Sequence, residues 1–334
     1  MHTKVIRVDA AAPQADAIAE AAEILRRGGL VAFPTETVYG LGANALDSDA
    51  VARIFVAKGR PANNPLIVHI AQVIQAKELT ETWPESAEAL SARFWPGPLT
   101  LVLRRGSRVP DVVTAGGTTV ALRLPAHPAA LALLHAASMP LAAPSANRSS
   151  SLSPTRPEHV LRGLDGRIDL LLDAGPTTGG LESTVLDVAS TPPRLLRPGL
   201  IAPAQIEAVI GPIERSLPRT VSRNQPIPSP GMLSRHYAPR AILECHEGIA
   251  AERVDKLAKQ GIRVGCLTFG GDPQSRPMNV TTIEMPTDPA AYSAQLYAAL
   301  HDLDQEEVER IVVSMPPEKE EWLAVRDRLR RASH

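Results

Sequence analysis

The sequence reads as an α/β protein in two parts: a larger α/β domain over residues 1–210 and a small parallel α/β domain over 241–334, joined by a proline-rich linker over 211–240. Three observations carry this. Short apolar runs, such as residues 30–33 and 66–70, alternate with amphipathic segments, as buried strands alternate with helices. Pro212, Pro218, Pro226, Pro228, Pro230 and Pro239 break any regular element between the two parts. Beyond them strands and helices alternate regularly, which implies a small parallel sheet wound by crossovers.

Residues 4–8 alternate and predict an edge strand. Pro13 opens a helix that runs through Arg27 and stops at Gly28-Gly29. A buried strand over 30–33 follows. Asp47 or Ser48 caps a helix to about Lys58, with Val51, Ile54 and Phe55 on its buried face. Strands are expected over 66–70, 99–103, 119–124, 141–143, 168–172 and 184–188, and helices over 71–79, 84–95, 127–136 and 203–210. In the second part the pattern gives strands at 241–245, 262–269, 279–285 and 309–315, with helices at 250–260, 289–303 and 318–331.

Composition narrows the class. The chain has 334 residues, 44% of them apolar and 21% charged, as expected of a globular protein with a substantial core. A net charge of -1 argues against nonspecific nucleic-acid binding by the whole chain, and 3% aromatics against a base-stacking platform. Cys245 and Cys266 supply neither a disulfide framework nor a zinc site, and their scarcity points to the cytoplasm. The N-terminus shows no apolar signal region, and no run is long enough to span a membrane.

The stretch that follows the 30–33 strand concentrates functional groups. Thr35, Glu36, Thr37 and Tyr39 crowd one loop, and Gly40 and Gly42 follow where backbone can approach a ligand. Other strand ends repeat the theme. Lys58, Arg60 and Asn64 precede a strand and His69 lies near its end; Thr118 and Thr119 precede Arg123; Ser145 and Asn147 follow a third strand; Ser153, Ser183, Thr184 and Arg197 come after. Lys58, Arg60, Arg123 and Arg197 together match a polyphosphate or a carboxylate. Each residue has an ordinary alternative: a helix-end cation for Lys58 and Arg60, a satisfied buried histidine for His69, a cap for Ser145 and Asn147. Arg123 is harder to dismiss, because a cation within an apolar strand needs a partner.

Familiar chemistries fall away. Gly40-Leu41-Gly42-Ala43-Asn44-Ala45 fits a loose dinucleotide pattern, but a polar loop separates it from its strand and no acidic residue follows at the expected spacing. The chain has no GxxxxGK[ST] phosphate loop, no HExxH and no GxSxG. No metal-ligating set stands out, and chemistry here would rest on positioning and charge stabilisation.

The motifs Pro34-Thr35-Glu36-Thr37-Val38-Tyr39-Gly40-Leu41, Lys58-x-Arg60-Pro61-x-x-Asn64-Pro65-Leu66 and Pro144-Ser145-Ala146-Asn147 resemble the YrdC/YwlC family. Ser229-Pro230-Gly231-Met232-x-x-Arg235-His236-Tyr237-Ala238-Pro239 resembles the linker signature of its two-domain members, the L-threonylcarbamoyladenylate synthases. The resemblance is dense in the first half, sharp in the linker, and mainly one of layout in the last hundred residues.

It implies a twisted YrdC-like α/β domain with a concave basic pocket, a small Rossmann-like second domain, and a linker lying over the pocket as a lid. The implied reaction joins L-threonine, bicarbonate and ATP into threonylcarbamoyl-AMP and releases pyrophosphate. Its product would feed the threonylcarbamoyl (t6A) modification of adenosine 37 in tRNAs reading codons that begin with A. By resemblance Thr37, His69, Arg123, Ser183 and the Ala143 backbone would contact threonine. Arg60, Asn64, Thr119, Ser145, Ser153, Arg197 and Tyr237 would contact ATP, and Lys58 and Arg60 would stabilise the leaving pyrophosphate. Mg²⁺ would accompany ATP on phosphate oxygens and water, without a dedicated carboxylate cage. The implied partners are these small molecules and the downstream tRNA threonylcarbamoyl-transferase machinery, with a weak contact to tRNA and none to a membrane.

Two other readings use the same residues. A carbamoyl-transfer module of hydrogenase maturation shares this domain type but carries zinc-finger segments, for which cysteines are lacking here. An RNA- or nucleotide-binding module without catalysis, including a generic nucleotide-binding regulator, would use the same concave face.

Overall fold

The computed structural model describes residues 2–215, 237–248, 250–270 and 277–333. The first part comprises β1 (Lys4–Arg7), α1 (Ala15–Arg26), β2 (Val31–Phe33), β3 (Gly40–Asn44), α2 (Ser48–Lys58), β4 (Ile67–His69), α3 (Val73–Glu78), α4 (Glu85–Phe94) and β5 (Leu99–Arg104). It continues with α5 (Asp111–Thr114), β6 (Thr119–Arg123), α6 (Pro128–Ala137), β7 (Leu141–Ala142), α7 (Pro157–Leu164), β8 (Leu170–Asp173), β9 (Thr184–Asp187), β10 (Arg194–Arg197) and α8 (Pro203–Ile210). Its strands form one mixed sheet of ten in the order β1-β8-β2-β3-β7-β4-β6-β5-β9-β10, with β1 at an edge as the alternation predicts.

Alternation along the strands divides the core. Val31 and Phe33 point to one face, where α1 and α6 pack Ala21, Leu25, Leu133 and Leu134 against them. Ala32 points to the other face and joins the larger core with Leu41, Ile54, Leu90 and Leu101. A separate group, Ile67, Val102, Ala121, Val185 and Leu196, is buried on the strands from β4 to the β10 edge. Ile67 of this group lines the cavity described below.

Local chemistry sets the ends of α2. Asp47 caps it by accepting from the Asp49 and Ala50 amides, and Gly59 closes it in the left-handed region at φ 62°. The loop placement of the two glycines is a correction, although Gly40 does line the cavity described below. Gly40 and Gly42 lie within β3, antiparallel to β2. Gly42 is there because a Cβ would come 2.8 Å from the Phe33 ring, so its role is packing rather than ligand approach. Four elements of the first part, β3, α5, α7 and β10, fall outside the expected ranges. Proline brackets β10 on both sides (Pro192-Pro193 and Pro198), which disguises so short a strand.

The second part comprises β11 (Ile242–Glu247), α9 (Ala251–Lys259), β12 (Val264–Phe269), β13 (Val280–Met285), α10 (Pro289–Gln305), β14 (Arg310–Met315) and α11 (Leu323–Ala332). The sheet order is β11-β14-β12-β13 and every pairing is parallel, as the alternation predicts. Val254 and Leu257 of α9 pack with Val264 and Val312. The cluster around Leu296, Leu300 and Leu329 of α10 and α11 also takes in Val38, Leu152 and Leu181 of the first part, so the two parts share an apolar seam. Most of the linker signature, including Ser229 to His236, lies outside the described residues; Tyr237, Ala238 and Pro239 lie within them. Among the described residues no helix is long and apolar enough to cross a membrane.

Candidate active site

A cavity opens at the ends of the middle strands. Its lining includes Thr37, His69, Arg123, Ala143 and Ser183 on one side and Arg60, Ser145, Arg197 and Tyr237 on the other.

The hydroxyl-rich loop after β2 builds itself. Thr35 Oγ1 accepts from the Thr37 and Val38 amides and donates to the Val38 carbonyl at 2.6 Å. The Gly179 and Gly180 amides donate to the carbonyls of Glu36 and Thr37, tying this loop to the one that carries Ser183. Parallel pairing of β4 with β6 sets His69 opposite Arg123. Arg123 donates from Nε to the Gly97 carbonyl at 3.2 Å and from a terminal nitrogen to Thr37 Oγ1 at 2.9 Å. Its other terminal nitrogen lies 2.6 Å from Glu36 Oε1. Burial, then the Arg123 charge, pushes the His69 imidazole down to about 3, so it is neutral at physiological pH. Its Nδ1 is buried without a hydrogen-bond partner.

Ser183 joins the two sides. Its Oγ lies 2.7 Å from Thr100 Oγ1 and accepts from Arg197 at 3.1 Å, while its carbonyl accepts from Arg197 Nε. Arg60 donates to the Asn64 carbonyl at 3.1 Å, to Asn64 Oδ1 at 2.6 Å and to the Pro65 carbonyl at 2.7 Å. Asn64 thus orients Arg60 and is itself fully buried. Burial lowers the Arg60 guanidinium to about 10, which leaves it charged near neutrality. Lys58 is buried too, and desolvation pushes its amine well below the usual lysine range. Its Nζ donates to the Ser145 carbonyl at 2.6 Å and to the Asn147 carbonyl. Lys58 therefore fastens the Pro144-to-Asn147 loop that presents Ser145.

Ser153 is buried, with Oγ donating to Glu182 Oε1. Thr119 is half-buried at the start of β6, four residues from Arg123 on the same face, about 13 Å away at strand rise. Lys58, Asn64, Thr119 and Ser153 do not line the cavity; nine of the thirteen residues expected there do. Tyr237 is buried at φ 62°, with its hydroxyl 3.4 Å from Arg197.

Two residues at the site escaped the sequence reading, Glu182 and Arg328, and Glu36 was placed in its loop without a role or a partner. Arg328 left a readable signal. It falls with Val325, Leu329 and Ala332 on the buried stripe of α11, where a charge demands a partner. Glu182 left none, since one acid between Leu181 and Ser183 looks like any turn residue.

Comparison with known proteins agrees with this architecture. Residues 23–199 match the family described as "Telomere recombination", and residues 201–334 match "Threonylcarbamoyl-AMP synthase, C-terminal domain". The threonylcarbamoyl-AMP synthase of Bacillus subtilis (strain 168) is 48% identical over 95% of this chain and 92% of its own length. The crystal structure of Pyrococcus abyssi Sua5 complexed with L-threonine superposes with a TM-score of 0.92 at 44% identity, covering 99% of this chain and 98% of that one. Escherichia coli YciO resembles the first part alone, with a TM-score of 0.55 at 26% identity over 59% of this chain and 96% of its own. Matched along both parts and over nearly its whole length, the chain belongs to the threonylcarbamoyl-AMP synthase family.

Proposed function

We propose that the chain makes L-threonylcarbamoyl-AMP from L-threonine, bicarbonate and ATP, with release of pyrophosphate, for t6A formation at position 37 of tRNAs. The observation that carries this reading is one cavity lined by three arginines, Arg123 beside Thr37 and Glu36, and Arg60 in the field of Arg197 near Tyr237. A carboxylate suits the first and a polyphosphate the second.

At the first end Arg123 takes the threonine carboxylate, with Thr37, Ser183 and the Ala143 backbone beside it. Neutral His69, with its unpartnered Nδ1, suits a hydroxyl rather than an anion. The threonine amine attacks the bicarbonate carbon and water is lost, giving a carbamate. A carbamate oxygen then attacks the α-phosphorus of ATP, and pyrophosphate leaves against Arg60 and Arg197. Lys58 acts through the Ser145 loop that it fastens. Tyr237 closes the nucleotide end, which protects a carbamate and a mixed anhydride from water.

Among the described residues no group of three or more His, Cys, Asp or Glu side chains is set to hold a metal. The carboxylates nearest the cavity, Glu36 and Glu182, are each engaged by an arginine. The donor set therefore does not form a resident magnesium site; Mg²⁺ enters with ATP, and no step is assigned to it.

Pyrophosphate release from ATP and Mg²⁺, with and without L-threonine and bicarbonate and with serine as control, tests the reading. Release that requires both co-substrates is expected. ATP binding with no release under any combination would overturn it in favour of a nucleotide-binding module.

A further inference from the structure

Glu182 is an acidic side chain in a cavity otherwise furnished for anions. Both of its oxygens are engaged, and most of the engagement comes from the C-terminal domain. Arg328 Nε of α11 donates to Oε2 at 2.7 Å, the Tyr297 hydroxyl of α10 donates to the same oxygen at 3.2 Å, and Ser153 donates to Oε1. The Arg328 side chain is wholly buried. Its guanidinium also reaches the Pro198 carbonyl at 3.0 Å and lies 5.2 Å from the centre of the Tyr237 ring. The C-terminal domain thus supplies the hydrogen-bonded counter-charge to the cavity's own carboxylate, and Arg197 of the first part acts on it as a second, weaker cation.

We propose that Arg328 is a positioning residue for the nucleotide: by holding Glu182 in a buried ion pair, it keeps that carboxylate from repelling the phosphates. This rests on the cavity being where ATP binds. Without Arg328 the carboxylate is left to Arg197 alone, and in a low-dielectric site it then either repels phosphate or draws that arginine from it. The C-terminal domain then acts on nucleotide affinity although Arg328 never touches the nucleotide.

The test is calorimetric binding of ATP with Mg²⁺, and of L-threonine, to the full chain and its variants, with pyrophosphate release followed in parallel. Arg328→Met is expected to raise the ATP Kd about tenfold or more and to leave the threonine Kd within about twofold. The double variant Glu182→Gln/Arg328→Met, which removes both charges, is expected to restore ATP binding to within about threefold of the unaltered chain. A purely structural tie between domains predicts the opposite, a double variant as poor as the single one, and that result overturns the proposal. So does an equal loss for both ligands. If Arg328→Met does not fold, Tyr297→Phe decides: an ATP Kd about threefold higher with threonine unchanged supports the proposal, and an unchanged ATP Kd overturns it. ATP binding without pyrophosphate release defeats the synthase reading while leaving these Kd comparisons intact; no ATP binding by the unaltered chain overturns both.

Discussion

The Glu36 carboxylate lies 2.6 Å from the Arg123 guanidinium, with the two side chains 14% and 4% exposed. Glu36 also accepts from the Ala126 amide at 3.1 Å, so it is held in place rather than resting on the arginine. It is the counter-ion that a cation in β6 requires before substrate arrives. Glu36→Gln leaves Arg123 buried without that charge and is expected to cost about 1–3 kcal/mol of stability. On the proposed reading the threonine carboxylate replaces the missing charge, so threonine should raise the Tm of Glu36→Gln by more than it raises that of the unaltered chain. Thermal denaturation with and without threonine checks this; equal shifts would separate Glu36 from the amino-acid end of the cavity.

How far the sequence disclosed this site depends on the kind of residue. Arg123 was legible because a cation inside Val120-Ala121-Leu122-Arg123-Leu124 violates the pattern of a buried strand. The second domain was legible from its two central strands, β12 and β14, which are buried apolar runs, and from the helices that follow its other elements. Gly42 misled because its reason for being glycine, the Phe33 ring on the neighbouring strand, lies across the sheet and not along the chain. Glu36 was seen in its loop, but its pairing with Arg123 spans 87 positions of sequence. Ion pairs made by folding leave a trace only where, as with Arg328, one partner interrupts an apolar stripe.

At Gly180 the first part meets the backbone of α10. A Cβ there would lie 2.2 Å from the Ser293 carbonyl oxygen and 2.5 Å from Ala294 Cα in α10. Its φ of 73° adds strain for any other residue. Neither neighbour is a flexible side-chain tip, so Gly180→Ala is expected to force the domains apart and to cost about 2–4 kcal/mol. Faster amide exchange in the first turns of α10, with lower Tm, is the expected reading. Native exchange there would show that the seam tolerates the shift.

Three buried histidines make the fold acid-sensitive. Burial and the Arg123 charge hold His69 down to about 3. Burial and the neighbouring imidazole hold His159 down to about 2. Burial, opposed by the Ser153 carbonyl, holds His301 down to about 4. His159 and His301 stack with ring centroids 3.8 Å apart at the domain seam, and Arg162 lies 3.2 Å from His301 Nδ1. All three folded values lie below the unfolded value of 6.5, so the unfolded chain takes up protons first. Their contribution is fully present above about pH 6.5 and falls as pH drops toward each folded value, by up to about 4 kcal/mol per pH unit for the three together. Urea unfolding between pH 7 and 5 reads this slope. His301→Gln should flatten it by about 1.4 kcal/mol per pH unit; an unchanged slope would mean that His301 is not held neutral in the folded protein.

Tyr237 separates a role of its ring from a role of its hydroxyl. The ring lies 5.9 Å from that of Tyr297 and 5.2 Å from the Arg328 guanidinium, while the hydroxyl reaches Arg197 at 3.4 Å. A bond of that length is weak, whereas the ring lines the cavity and, on the proposed reading, closes its nucleotide end to water. Tyr237→Phe should therefore weaken ATP binding only about threefold, and Tyr237→Ala about thirtyfold. On the proposed reading threonine binds at the other end, against Arg123 and His69, and its affinity should change less than about threefold in either variant. Titration of both ligands decides the matter. Equal losses for ATP and threonine would mean that Tyr237 supports the whole cavity rather than closing one end, and a Tyr237→Phe variant as weak as Tyr237→Ala would move the burden from the ring to the hydroxyl.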